Sequence, residues 1–231
     1  MGGEELWDVV EGLQTNGLLH YDYLVTGYIG SASLLKTVVR LVELLRQHNP
    51  NLAYVCDPVM GDHGRLYVKE DILPVYRDGI VPISSVMTPN QFEAEQLLGR
   101  KLRTEREAIT ACQELHGRGP HTVVMTSFHP EGVEDHLVVL ASTTQPQEEG
   151  MPSSVRVQIP RSQAYFTGTG DLLTVLLLAM LDRRPGSLKT ALEKALASLQ
   201  AVLQATVEAA GDAAFAKDRD SQAQAVSFIG C

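Results

Sequence analysis

Gly168-Thr169-Gly170-Asp171 stands directly ahead of an apolar run at residues 172–181. Glycine lets backbone N–H groups approach a ligand closely. A helix start leaves N–H groups without intrahelical partners and carries the positive end of the macrodipole. Together they make a site for an anion, most often a phosphate. An acid aimed at such a site is placed to act as a base beside a phosphoryl group in transfer. The plainer alternative is a glycine loop with Asp171 as the cap of the following helix.

Other residue groups bear on the choice. Asp57 and Asp62 flank the turn Pro58-Val59-Met60-Gly61, and two such acids suit a hydrated Mg²⁺ or metal-bound phosphates. Asp57 serves equally well as a turn cap. Asn90 and Glu93 have the three-residue spacing of a capping pair, and an amide and a carboxylate there also suit a metal–phosphate network. Thr126 and Ser127 offer hydroxyls to a nucleotide phosphate or a monovalent cation, and Tyr28 offers a ring for stacking on an aromatic substrate. The seven histidines show no ligand spacing. Gly-x-Ser-x-Gly, the Gly-x-x-x-x-Gly-Lys-Ser/Thr phosphate loop and Gly-x-Gly-x-x-Gly after a first strand are all absent.

The elements that must position these residues follow from periodicity. Apolar residues recur at helical spacing over residues 4–18, and in a stronger stripe at Leu34, Leu35, Val38, Leu41, Val42 and Leu45. Further helices are expected near 70–76, over 91–98 up to Gly99, over 104–117 with a Thr104/Glu107 capping box, and over 171–181 and 188–209. Strands are expected at 21–26, 52–56, 85–88 and 121–126, with 137–141 and 155–159 as an antiparallel pair. Strand–helix–strand alternation predicts a mostly parallel α/β sheet. Such sheets bind ligands at the carboxyl ends of their strands, where Gly27-Tyr28, Asp57–Asp62, Thr88–Glu93 and Thr126-Ser127 all fall.

Composition sets the outer limits. At 231 residues, with 44% hydrophobic and 20% charged content, one globular domain over residues 1–210 is expected, followed by a disordered tail at 211–231. A net charge of −9 argues against nucleic acid or an anionic membrane as the main partner. The ten-residue apolar run is too short to span a bilayer and reads as a buried helix. Three scattered cysteines and an acidic start without a basic leader point to a reducing cytosol.

The ordered set Tyr-Asp-Tyr-Leu-Val-Thr-Gly-Tyr (21–28), Tyr-Val-Cys-Asp-Pro-Val-Met-Gly-Asp (54–62), Met-Thr-Pro-Asn-Gln-Phe-Glu-Ala-Glu (87–95), Val-Val-Met-Thr-Ser (123–127) and Gly-Thr-Gly-Asp-Leu (168–172) resembles the pyridoxal kinases of the ribokinase-like superfamily. The resemblance runs from about residue 5 to about residue 210. It implies a three-layer α/β/α fold and transfer of the ATP γ-phosphoryl group to the 5′-hydroxyl of pyridoxal, pyridoxine or pyridoxamine. By the same likeness Asp171 is the base, and Gly168, Thr169 and Gly170 stabilise the transferring group. Asp62 and Glu93 manage Mg²⁺. Asp57, Thr88 and Thr126 lie at a K⁺ or Na⁺ site. Asn90, Thr126 and Ser127 contact the ATP phosphates, with Tyr67 in a flap over the nucleotide. Gln163, Ala164 and Phe166 border the adenine, and Tyr28 meets the pyridine ring. A homodimer is implied. The resemblance also implies that the strand and loop with which the family begins are missing here, that the segment after Asp62 is short, and that the carboxyl tail departs from the family's. Two alternatives follow: a catalytically impaired form that binds nucleotide or pairs with an intact kinase, and a related hydroxymethylpyrimidine kinase.

Overall fold

The computed structural model describes residues 2–62, 64–160 and 166–210; the tail expected at 211–231 lies outside them. The chain begins with α1 (Gly3–Thr15), β1 (Tyr23–Thr26), α2 (Ala32–His48) and β2 (Ala53–Cys56). A two-strand hairpin, β3 (Gly61–Asp62) and β4 (Arg65–Leu66), follows. Then come α3 (Ile72–Val75), β5 (Val86–Met87), α4 (Gln91–Leu98) and α5 (Glu105–His116). The chain continues with β6 (Thr122–Phe128), β7 (His136–Thr143), β8 (Ser154–Pro160), α6 (Thr169–Arg183) and α7 (Leu188–Ala210).

The six-stranded sheet has the order β1-β2-β5-β6-β7-β8. The first three pairings are parallel, as strand–helix alternation predicts, and β7–β8 is the expected antiparallel pair; β6–β7 is antiparallel too, which the sequence reading did not anticipate. Side-chain alternation distributes the core. Val123, Met125, Val138 and Leu140 join α2, α4 and α5 on one face, while Val124, Val139 and Ala141 meet α6 and α7 on the other. The result is the three-layer α/β/α arrangement.

Local chemistry explains the boundaries. Ser31 opens α2 by accepting from the Leu34 N–H at 3.1 Å, and Thr104 and Glu107 form the expected capping box. Gly99 ends α4 in the left-handed region at φ 72°. Between α3 and β5 the helical piece expected at 70–76 is displaced. Ile72–Val75 runs on into a wide turn at Tyr76–Ile80 and a tight one at Val81–Ile83, where Pro82 supplies no N–H.

Two expectations about α6 are corrected. The helix starts at Thr169 with Gly168 at the cap position in left-handed backbone, φ 76°. Asp171 therefore lies in the first turn and is not the cap, because the glycine turns the chain two residues early. The apolar run is also not wholly buried: Leu173, Thr174 and Leu177 are buried, whereas Val175 is 53% exposed. Only one side of α6 is packed against the sheet and α7.

Candidate active site

The carboxyl ends of β1, β2, β5 and β6 meet the amino end of α6. Asp57, one residue beyond β2, is buried, and its Oδ2 receives the Thr174 hydroxyl at 3.4 Å. Thr174 in turn shares a 2.8 Å hydrogen bond with Thr88, just past β5. Thr126 of β6 donates its N–H to the Pro89 carbonyl at 3.0 Å, tying the two strand ends together. Asp57, Thr88 and Thr126 thus sit at neighbouring strand ends of one crevice. Asp57 Oδ1 and Thr126 Oγ1 are buried with no hydrogen-bond partner, an arrangement that suits a small cation.

Asp171 stands above this pocket with its side chain open to solvent. Gly27, the residue after β1, approaches it so closely that a Cβ there would lie 2.7 Å from Asp171 Oδ1. Strand end and helix start therefore touch at the carboxylate. Burial foremost, then the Asp171 charge, pushes the Asp57 carboxyl up from 3.8 to about 7, with the Thr174 hydroxyl opposing. Two carboxylates so placed divide roles: Asp171 stays wet, while Asp57 sits in a dry pocket.

Glu93 has a more structural setting than its sequence suggests. Its carboxylate accepts from the Asn90 N–H at 2.8 Å and the Met60 N–H at 3.0 Å. The Asn90 side chain caps Glu93 N at 2.8 Å and donates to the Gly61 carbonyl at 2.8 Å. The capping reading holds, and the capping box of α4 also fastens the 58–62 loop above the crevice. Burial, and next the charge of Asp57, raises the Glu93 carboxyl well above the ordinary range, although the two N–H groups pull the other way. Gly61 is required here, because a Cβ would lie 2.2 Å from the Arg65 carbonyl across the hairpin.

Asp62 and Ser127 line one cavity of about 340 Å³ together with Gln91, Phe92, Lys101 and His129. Tyr67 flanks the loop, its N–H donating to the Met60 carbonyl at 2.8 Å. Tyr28 lies at the surface, 45% exposed, and Phe166 is half-buried. Gln163 and Ala164 fall outside the described residues. No group of three or more His, Cys, Asp or Glu among the described residues is disposed to hold a metal. Mg²⁺ on a nucleotide needs no such group, because it keeps waters and substrate phosphates with one or two carboxylates.

Sequence reasoning missed Thr174 and the contact of Gly27 with Asp171. Thr174 has a visible signal, as the one polar residue in an otherwise apolar run. The closeness of Gly27 to Asp171 spans 144 residues and leaves no local mark.

Comparisons with known proteins agree with this layout. The family model described as phosphomethylpyrimidine kinase matches residues 19–214. Pyridoxal kinase from Arabidopsis thaliana is 46% identical over 200 residues, covering 87% of this chain and 63% of the relative. The Homo sapiens pyridoxal kinase is 43% identical over 208 residues, covering 86% and 66%. Pyridoxal kinase from Leishmania donovani, solved with ADP and pyridoxamine, superposes with a TM-score of 0.80 at 34% identity, covering 89% of this chain and 72% of that one. This chain therefore spans somewhat under two thirds of the length of these curated relatives. With its family model matched over residues 19–214 and its fold shared with the solved structures, the chain belongs to the phosphomethylpyrimidine kinase family, and the relatives it is similar to there are pyridoxal kinases.

Proposed function

We propose that this chain carries the phosphoryl-transfer site of a vitamin B6 kinase, which moves the γ-phosphoryl group of ATP to the 5′-hydroxyl of pyridoxal, pyridoxine or pyridoxamine. One observation carries the proposal. The solvent-facing carboxylate of Asp171 stands in the first turn of α6, against Gly27, over a dry pocket of unpartnered oxygens. Asp171 takes the proton as the hydroxyl oxygen bonds to the γ-phosphorus and the bridging oxygen leaves with ADP. The amino end of α6, at Gly168, Thr169 and Gly170, faces the charge gathering on the phosphoryl oxygens.

Asp57, Thr88 and Thr126 fit a K⁺ or Na⁺ ion, because two of their oxygens are buried without partners. Asp62 is the residue for Mg²⁺, with Glu93 acting through the loop it fastens. When bound, these ions neutralise phosphate charge. Asn90 and Ser127 border the phosphates, Tyr67 the nucleotide, Phe166 with Gln163 and Ala164 the adenine, and Tyr28 the pyridine ring. The ADP and pyridoxamine held by the Leishmania relative support this pairing of ligands. A homodimer in a reducing cytosol completes the proposal, with Cys56 and Cys112 as buried free thiols.

The family model's description favours one rival substrate, a hydroxymethylpyrimidine. ATP-dependent phosphorylation measured with pyridoxal and that pyrimidine in competition decides between them. Preference for pyridoxal supports the proposal, and preference for the pyrimidine replaces it. The open strand β1 favours a second reading, in which the chain alone binds nucleotide with impaired turnover.

A further inference from the structure

The amino ends of the parallel strands border a second cavity, of about 310 Å³. Its floor is laid by Ala53, Val86 and Thr122, the first residues of β2, β5 and β6, with Tyr23 of β1 at one side. Parallel pairing puts these ends opposite the crevice. α6 runs back from that crevice, so Leu181, near its end, lies about 15 Å along the helix from Asp171. Leu178, Leu181, Pro146 and Leu188 make the walls apolar. The link between β7 and β8 is fastened there. The Glu148 N–H donates to the Gly186 carbonyl at 2.7 Å, and the Leu188 N–H to Gln147 Oε1 at 3.0 Å. The space is therefore framed by fixed backbone and shares no lining residue with the candidate active site.

Two hydrogen-bond acceptors line this cavity. Asp182 is the one charged side chain of the lining. Its Oδ1 accepts the Tyr23 hydroxyl, which leaves Oδ2 for a ligand. That hydroxyl keeps its proton, because the bond to Asp182, and next burial, pushes it up to about 12. His121 supplies the second acceptor, and one proton per hydroxyl sets its tautomer. Thr143 donates to the His121 carbonyl at 3.0 Å, so Thr122 donates to Thr143 at 2.9 Å and accepts from His121 Nδ1–H at 3.0 Å. Nε2 is left with its lone pair. Burial, and then the His116 charge, holds His121 below the usual histidine range, so the ring is neutral at pH 7.

A ligand that satisfies both acceptors carries one cationic donor and one neutral donor on an apolar body. The cavity equals the liquid volume of about ten waters, so that body is small, and a ring fills it at less entropic cost than a chain. We infer that the cavity is a binding site for a small aromatic ammonium that bears a hydroxyl group. The ammonium pairs with Asp182, the hydroxyl donates to His121 Nε2, and the ring packs against Leu178, Leu181 and Pro146. An anion is rejected, because Asp182 repels it and none of the lining side chains carries a positive charge.

Tyramine is the probe, titrated into the 231-residue chain and followed by amide NMR shifts, a readout independent of kinase activity. Phenethylamine lacks the hydroxyl, and 4-hydroxyphenylacetate reverses the charge. Tyramine should saturate with a Kd of about 1 mM or below. Its shifts should fall at Thr122, Gln145 and Gly186, which line the cavity, and spare Gly27 and Asp171. Phenethylamine should bind roughly five- to tenfold more weakly, and 4-hydroxyphenylacetate should not saturate. Asp182→Asn keeps an acceptor for Tyr23 and should weaken tyramine about tenfold. His121→Phe should erase the difference between tyramine and phenethylamine. Should that variant misfold, Asp182→Asn, at an exposed position, decides alone. Shifts at the crevice instead, equal binding of the three probes, tyramine binding indifferent to Asp182→Asn, or no saturation overturns the inference.

Discussion

Replacing Asp57 by asparagine tests the dry pocket under the candidate active site. Folding lifts the Asp57 carboxyl from 3.8 to about 7. A group raised on folding contributes stability that is complete below its unfolded value and lost as pH climbs through the folded one. Ionised above pH 7, it costs the folded state on the order of 4 kcal/mol relative to the protonated form. Asparagine keeps the shape and has no such titration. The unfolding free energy of Asp57→Asn minus that of the parent should therefore grow by about 1.4 kcal/mol per pH unit between about pH 4 and 7 and level off above. Urea unfolding from pH 5 to 8, in choline chloride, measures this directly. Repeating the series in KCl should narrow the gap, since a cation between Asp57 Oδ1 and Thr126 Oγ1 stabilises the ionised carboxylate. A gap independent of pH, or one shrinking as pH rises, would refute the reasoning, because it means the carboxylate is solvated or already paired.

Two further substitutions separate placement from stability. In Gly27→Ala the new Cβ would meet Asp171 Oδ1 at 2.7 Å. That oxygen ends a side chain able to move, so phosphoryl transfer should fall roughly 10–100-fold with thermal stability nearly unchanged; steady-state kinetics beside a melting curve checks both. Glu93→Ala strands the N–H groups of Met60 and Asn90; denaturant unfolding should show a loss of about 2–4 kcal/mol, and amide exchange at Met60 should quicken.

Much of this was legible in the sequence because the signals are local. The Leu and Val stripe of α2, the Thr104/Glu107 box and Gly99 each fix an element without help from the rest of the chain. Strand–helix alternation then puts the polar strand ends on one side, and Asp57, Thr88 and Thr126 do lie at neighbouring strand ends there. What escaped depends on distant partners. The hydrogen bonds of Thr174 to Asp57 and Thr88 link residues 117 and 86 positions apart. Glu93 reads as a metal ligand or a cap from its spacing alone, and only the fold reveals that its second oxygen holds Met60. The apolar run of α6 reads as buried from its length and composition, yet Val175 is 53% exposed. Periodicity says which side of a helix is apolar, and nothing in it says whether a neighbour is present to cover that side.

If Asp171 is the base proposed for ATP-dependent phosphorylation of a B6 vitamer, removing its charge stops the chemistry and spares nucleotide binding. The most direct measurement is formation of pyridoxal 5′-phosphate from pyridoxal and ATP, by parent and Asp171→Asn, alongside nucleotide-binding affinity. Product should form with the parent, and fall by about 10²–10⁴-fold in the variant with nucleotide binding retained. Equal rates for parent and variant, or no product from a parent that folds and binds ATP, would contradict the role of Asp171 as the base.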